Sequence, residues 1–389
     1  MKVLFVIKNS FDKNAGGVQR VTYLLGKQLT KKGYKVAYYS KSSSGHNMTK
    51  YGKLFFPKNQ DLSGKQSITN SLLNAIQEFN PEIIVNQAPY DKFLTNSLNR
   101  NKNTYNYFLI GCLHNSLFSV VKNLRNTLRY LIPNTLFPIF DNKLSFYLFL
   151  HLHKIKHSLA LKKILDKHDK YILLTPQNKH ELNYFIDNYK ANKIEVIPNS
   201  IPCVNENIYE KEKILLHVGR LNIEQKRSDL LLDFWKKLYL KLPEWKFIIL
   251  GGGTYYKTFK QEIENQNLPR IELLGYQNPD LYYKMAPIFI MPSAYEGFPM
   301  TILEAQSNGC IPLAFNSYAA LEWIVNDRKD AVLIEPFNTQ DMATETINLI
   351  SDTEKLNYLS TQAINNAKRF TIDQVSEKWI SLFNSLNER

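Results

Sequence analysis

Apolar residues recur along this chain in two alternating rhythms. Short continuous runs rich in Val, Ile and Leu predict buried strands, and runs with apolar residues three or four apart predict helices between them. The first run is KVLFVI (2–7), followed by a Gly-Gly turn. VQRVTYLLGKQLTKKG (18–33) then has helical spacing at Val18, Val21, Leu24, Leu25 and Leu29, and it stops at Gly33. Further strands are predicted at 34–40, 82–87, 107–114, 170–176 and 194–199. The series restarts beyond Pro198 and Pro202 with ILLHVGR (214–220). It continues through KFIILGGG (246–253), IELLGY (271–276), PIFIMPS (287–293), IPLAF (311–315) and AVLIEP (331–336). Continuous apolar strands alternating with helices predict parallel sheets covered on both faces. Two such series predict two doubly wound α/β domains. The segment 371–386 has apolar Val375, Trp379, Leu382 and Phe383 at helical spacing and predicts a terminal amphipathic helix.

The length of 389 residues fits two domains better than one core. The three cysteines, Cys112, Cys203 and Cys310, are far apart and odd in number. They form neither a disulfide framework nor a metal motif, and they suit a reducing, cytoplasmic setting. The opening apolar run is too short for a signal peptide, and no run is long enough to span a bilayer. The net charge of +14 calls for an anionic partner: nucleic acid, an acidic membrane or a phosphorylated ligand. No nucleic-acid-binding module is present, and the basic residues are spread along the chain. The segment 116–170 stands apart, with ten Lys/Arg and three Asp interleaved with Leu, Phe and Tyr. Helices packed inside the first domain explain it as well as a face for acidic membrane or lipid acceptor does. Within it, His153 and His157 are one helical turn apart, without the third ligand that a metal requires.

In open parallel sheets, ligands bind beyond the carboxyl ends of strands, so motifs placed there carry the most weight. NAGGVQR (14–20) follows the first strand and opens a helix, although an ordinary turn accounts for Gly16 and Gly17 equally. Neither this stretch nor ILGGG is the G-x-G-x-x-G of a nicotinamide site. Arg220 ends a strand, with Lys226 and Arg227 in the next turn, and fixed cations there suit a diphosphate. His114 ends an apolar strand, a position that is often structural. The stretch PSAYEGFPMTILEAQSNG (292–309) places Glu296 before a turn and Glu304 in the helix beyond it. Pro299 fits the first turn of that helix, with the N–H groups of Met300 and Thr301 left for a phosphate. An ionised carboxylate accepts hydrogen bonds, as ribose and hexose hydroxyls require. A solvated helix face is the competing explanation for both glutamates.

In this combination, strand-end cations, E-x7-E and a Gly-Gly turn, the chain resembles the retaining, metal-independent nucleotide-sugar glycosyltransferases of family 4 (glycosyl transferases group 1). The resemblance spans nearly the whole chain and includes VIPNSI (196–201) and ILGGG. It implies the GT-B fold, two Rossmann-like domains facing across a cleft. Residues 1–200 would form the acceptor domain, 201–370 the donor domain, and 371–389 a helix crossing back to the first. It further implies that Arg220 and Lys226 neutralise the donor diphosphate, that Glu304 binds ribose, and that Glu296 binds the transferred sugar. The donor site would also include Gly219, Gly275, Tyr276, Gly297, Phe298, Pro299, Met300 and Thr301. Gly16 and Gly17 would close on the diphosphate, and His114 would lie near the sugar and acceptor. Many members have Gly at the position of Pro299, which removes one backbone donor here, and the cation loop is one residue longer than in many.

No D-x-D occurs, so no metal and no cofactor is expected; the nucleotide sugar is a substrate. The implied partners are that donor, UDP-linked on family grounds, and a glycan or lipid-linked acceptor of bacterial cell-surface polysaccharide. Peripheral contact with the inner face of the cytoplasmic membrane through 116–170 is a further expectation. The alternative is a non-catalytic GT-B-like protein that binds an acidic membrane or another polyanion.

Overall fold

The computed structural model describes residues 1–11, 16–42, 51–57, 64–122, 124, 128, 132–133, 135–187, 189–204 and 210–388. Part of the 116–170 segment (123, 125–127, 129–131 and 134) lies outside the described residues. The chain divides into two compact units. The first comprises Met1–Leu117, Thr135–Pro202 and Ile372–Arg389; the second comprises Phe118–Asn134 and Cys203–Thr371. One change of unit falls after Pro202. Phe118–Asn134, expected in the first domain, groups with the second unit.

The first unit is built on a seven-stranded sheet. Its strands are β1 (Lys2–Ile7), β2 (Lys35–Ser40), β3 (Lys53–Phe55), β4 (Ile83–Asn86), β5 (Phe108–Cys112), β6 (Lys170–Leu173) and β7 (Ile194–Val196). They run parallel in the order β3-β2-β1-β4-β5-β6-β7. The two faces follow from the strand period of two. Val3, Phe5 and Ile7 of β1 pack into one core layer, and Leu4 and Val6 pack into the other. The first layer is closed by Leu25 and Leu29 of the helix Gly17–Lys31, and by Val375, Trp379 and Phe383 of the terminal helix Ile372–Asn387. Gln28 Nε2 donates to Asp373 Oδ1 at 2.7 Å, and Lys32 pairs with Glu377 at 2.8 Å, which fixes the register of these two helices.

The second unit carries a six-stranded parallel sheet. Its strands are β8 (Ile214–Val218), β9 (Lys246–Leu250), β10 (Ile271–Gly275), β11 (Ile288–Met291), β12 (Ile311–Phe315) and β13 (Val332–Ile334). The order is β10-β9-β8-β11-β12-β13. Its core joins Leu215, Phe247, Ile249, Ile288 and Leu313 to Phe234 and Trp235 of the helix Asp229–Lys236. In each sheet the strand order reverses at the first strand of the series, at β1 and at β8. The loops after such strands are where doubly wound folds hold ligands.

The predicted strands are all present. The sequence reading missed β3, a three-residue edge strand with Leu54 and Phe55 as its apolar residues. It also did not resolve the single long helix Lys143–Lys167 within the basic segment.

Candidate functional site

In the second unit, β8 runs out into Gly219, Arg220 and a loop that closes on Asn222. Asn222 Oδ1 accepts from the N–H groups of Gln225 (3.1 Å) and Lys226 (2.8 Å), while Ser228 Oγ accepts from Asn222 N–H at 3.1 Å. The loop after β11 is stitched to it, because Ala294 N–H donates to Gln225 O at 2.7 Å. These bonds set Lys226 against the loop glutamate. Lys226 Nζ lies 2.6 Å from Glu296 Oε1, and Gln225 Nε2 donates to Glu296 Oε2 at 3.2 Å. Gln225 is a site contact that the sequence reading missed, because an uncharged side chain carries no motif signal. Arg227 is occupied elsewhere. It forks onto Asp229, with NH2 at 2.8 Å, and lies 4.8 Å from the centre of the Phe337 ring. Arg220 is exposed and makes no hydrogen bond or ion pair among the described residues.

Glu296 and Glu304 are 7% and 8% exposed, which excludes the solvated helix face for both. Glu304 accepts from Tyr283 OH at 3.3 Å. Tyr283 was also not anticipated; it lies 21 residues away on the helix Asp280–Met285, before β11. The helix carrying Glu304 runs Met300–Gln306, with Pro299 as its N-cap, one position earlier than predicted. The Met300 N–H donates to Phe298 O at 3.0 Å, so it is not left for a phosphate as expected. Phe298 and Pro299 are buried, and Phe298 meets Phe370 edge to face at 5.9 Å.

The triple glycine after β9 lies directly against the β8 loop. A Cβ on Gly251, at φ +133°, would be 1.8 Å from Gly219 O, and one on Gly253, at φ +149°, would be 2.3 Å from Leu221 O. These two positions therefore require glycine. Gly252 O accepts from Leu221 N–H at 2.8 Å, and a Cβ there would be 2.6 Å from the Tyr276 ring. Tyr276 follows Gly275 at the end of β10 and is 80% exposed, so it offers a flat aromatic face beside the glycine loop. His217 in β8 donates from Nδ1 to Ile290 O at 2.9 Å, and its buried Nε2 has no partner among the described residues. Burial holds its pKa down at about 4.

Gly16, Gly17 and His114 belong to the first unit. Gly16 caps the helix Gly17–Lys31, and both glycines are exposed. His114 follows β5, and its Nε2 lies 2.6 Å from Gln87 Oε1 at the end of β4. An oxygen acceptor makes Nε2 the donor and leaves Nδ1, which is buried, as a bare lone pair. Burial lowers the His114 pKa to about 4, so the ring is neutral near pH 7. His153 and His157 stack on each other at 5.3 Å, Phe185 meets His157 edge to face at 4.7 Å, and no third metal ligand joins the two histidines among the described residues.

Residues 204–366 match the family profile Glycosyl transferases group 1, and residues 15–204 match Glycosyltransferase Family 4. The chain belongs to these glycosyltransferases. A relative from Haemophilus influenzae, described as an uncharacterized glycosyltransferase, is 25% identical over 97% of this chain and 98% of its own length. The UDP-Gal:alpha-D-GlcNAc-diphosphoundecaprenol alpha-1,3-galactosyltransferase of Escherichia coli is 30% identical, over 49% of this chain and 54% of its own. The poly(ribitol-phosphate) alpha-N-acetylglucosaminyltransferase of Staphylococcus aureus is 27% identical, over 56% and 47%. The chain thus aligns with about half the length of the latter two. Among solved structures, sucrose-phosphate synthase from Thermosynechococcus elongatus superposes with a TM-score of 0.76 at 14% identity, over 100% of this chain and 99% of that one. Anabaena HepE, in complex with UDP and glucose, gives 0.72 at 14% identity, over 99% and 100%. These likenesses establish the GT-B fold of this glycosyltransferase.

Proposed function

We propose that this glycosyltransferase moves a hexose or N-acetylhexosamine from a UDP-sugar to a glycan or lipid-linked acceptor during synthesis of bacterial cell-surface polysaccharide. The observation that carries the reading is the pairing of half-buried Lys226 with buried Glu296, held by Asn222 and Gln225 at the carboxyl ends of β8 and β11. Anionic diphosphate suits Lys226 and the exposed Arg220, and sugar hydroxyls suit the Glu296 carboxylate. Glu304 is assigned to the ribose, with Tyr283 fixing one carboxylate oxygen. Tyr276 is assigned to the base as a stacking platform. The S. aureus, E. coli and Anabaena comparisons support a UDP-sugar donor and an envelope acceptor through what their names state.

Cleavage of the bond between the anomeric carbon and the diphosphate oxygen places negative charge on the leaving group. Arg220 and Lys226 stabilise that charge as it develops, without a metal. The acceptor oxygen attacks the face from which the diphosphate departs, and its proton passes to the leaving phosphate oxygen. The anomeric configuration is retained. Glu296 binds substrate in this scheme and forms no covalent bond.

Calorimetric titration with UDP, GDP and ADP in EDTA tests the reading. UDP is expected to bind, and Glu304→Ala is expected to abolish that binding with the fold intact. Failure of all three nucleotides to bind would overturn it.

A further inference from the structure

The helix Lys143–Lys167 is apolar on two sides. One side, with Leu161, Ile164 and Leu165, is buried in the first unit. The other carries Leu144, Leu148, Leu152, Ile155 and Leu159, which are 49% to 78% exposed. At about 100° per residue these five fall within an arc of roughly 80°, and they form a straight stripe about 22 Å long. Exposed Tyr147 borders the stripe. Leu136, Ile139 and Phe140, just before the helix, are exposed as well. An uncovered apolar patch of this extent marks an interaction surface.

The charges beside the stripe select the partner. Exposed Lys156 and Lys163 border one edge, and exposed Lys162 continues its line. The helix contains six lysines and a single acid, Asp166. A second copy docked stripe to stripe would bring these lysines together with almost no carboxylate to meet them. An anionic lipid surface provides both the apolar depth and the opposite charge. The lysines within the helix also prevent it from spanning, and no helix among the described residues is long and apolar enough to cross a membrane.

We infer that this face of the Lys143–Lys167 helix lies flat in the headgroup region of a bilayer containing anionic phospholipid, with Leu144, Leu148, Leu152, Ile155 and Leu159 inserted and Lys156, Lys162 and Lys163 at the phosphates. The inference does not depend on the transferase reading.

The test is flotation of the full chain with vesicles of phosphatidylcholine alone and of phosphatidylcholine mixed with phosphatidylglycerol, at low and high salt. Binding to the mixed vesicles, weakened by salt, is expected. Leu148→Glu with Leu152→Glu should abolish it. Lys156→Glu with Lys163→Glu should weaken it roughly 25-fold or more, from about five-fold per lysine near an anionic surface. All four positions are exposed, so circular dichroism and UDP binding should match the parent chain. No flotation at low salt would overturn the inference, as would equal flotation on phosphatidylcholine alone. A dimer in sedimentation equilibrium that dissociates in the Leu148→Glu, Leu152→Glu variant would assign the stripe to a second copy instead.

Discussion

Lys226 Nζ lies 2.6 Å from Glu296 Oε1, with the two side chains only 14% and 9% exposed. Each charge is tolerable because the other is present. Removing one partner of such a pair leaves an uncompensated charge and costs more than the pair contributes. Lys226→Met is therefore expected to lower stability by about 3 kcal/mol in urea unfolding. It should also reduce kcat about 100-fold or more, because it removes a cation from the leaving group. Glu296→Gln should cost less stability, since the amide can still accept from Gln225. A double-mutant cycle on the two positions measures the coupling. Additive effects would show that the pair is not a unit.

The glycine loop gives a sharper stability contrast. Gly251→Ala forces a methyl group into Gly219 O at a φ of +133°. The displaced backbone belongs to the β8 loop, so nucleotide affinity should fall along with stability, the latter by more than about 2 kcal/mol. Gly17→Ala meets nothing within 4 Å and lies in the first turn of a helix. It is expected to be neutral or to stabilise by up to about 1 kcal/mol. Thermal unfolding of the two variants side by side checks both.

These two cases also show what the sequence makes legible. The strands were readable because burial on both faces demands unbroken Val, Ile and Leu. The edge strand Lys53–Phe55 was not, because three residues with one open side need no such run. Glu296, Lys226 and Arg220 were readable because charges at strand ends are conspicuous. Gln225, Asn222 and Tyr283 were not, because they act through hydrogen bonds that only the folded loops bring together. The Pro299 turn was located correctly, but its capping geometry uses the Met300 N–H internally, which residue types alone do not encode.

Lys211 illustrates a contribution with no motif at all. Its Nζ lies 2.7 to 3.3 Å from the carbonyl oxygens of Tyr283, Lys284, Ala286 and Asn308, which share its three N–H donors. It thereby clamps the ends of the helices Asp280–Met285 and Met300–Gln306, which carry Tyr283 and Glu304. Lys211→Met retains the stem packing and removes all the donors. A loss of about 2–3 kcal/mol is expected, by analogy with charged hydrogen bonds elsewhere. UDP affinity should fall with it, and calorimetry on the folded variant reads that separately from melting.

Tyr276 is the most exposed aromatic assigned to the donor site, and it covers Gly252. Stacking of a base on an aromatic ring contributes about 1–3 kcal/mol. Tyr276→Ala should weaken UDP binding by roughly 5- to 150-fold with little effect on stability, whereas Tyr276→Phe should bind nearly as the parent. Equal loss in both variants would show that the hydroxyl, and not the ring face, is the contact.

Three histidines, the buried His168 and His217 and the half-buried His114, are each held near a pKa of about 4, chiefly by desolvation. An unfolded histidine titrates near 6.5. Between those values the unfolded chain binds the proton and the folded chain does not. The stability these groups contribute is therefore complete above about pH 6.5 and is lost as pH falls towards 4. The slope is at most about 1.4 kcal/mol per pH unit for each ring. His168 is tied at both nitrogens, with Nδ1 at 2.7 Å from Ile164 O and Nε2 at 3.2 Å from Asn86 Nδ2. His168→Asn is accordingly expected to be less stable at pH 7.5 yet to show a shallower loss between pH 6.5 and 5 in urea titrations. Transfer activity should show no ionisation of His114 between pH 5.5 and 8, because its ring stays neutral across that range. A kcat/KM profile with a break near 6.5 that disappears in His114→Gln would show instead that the histidine ionises in the working enzyme.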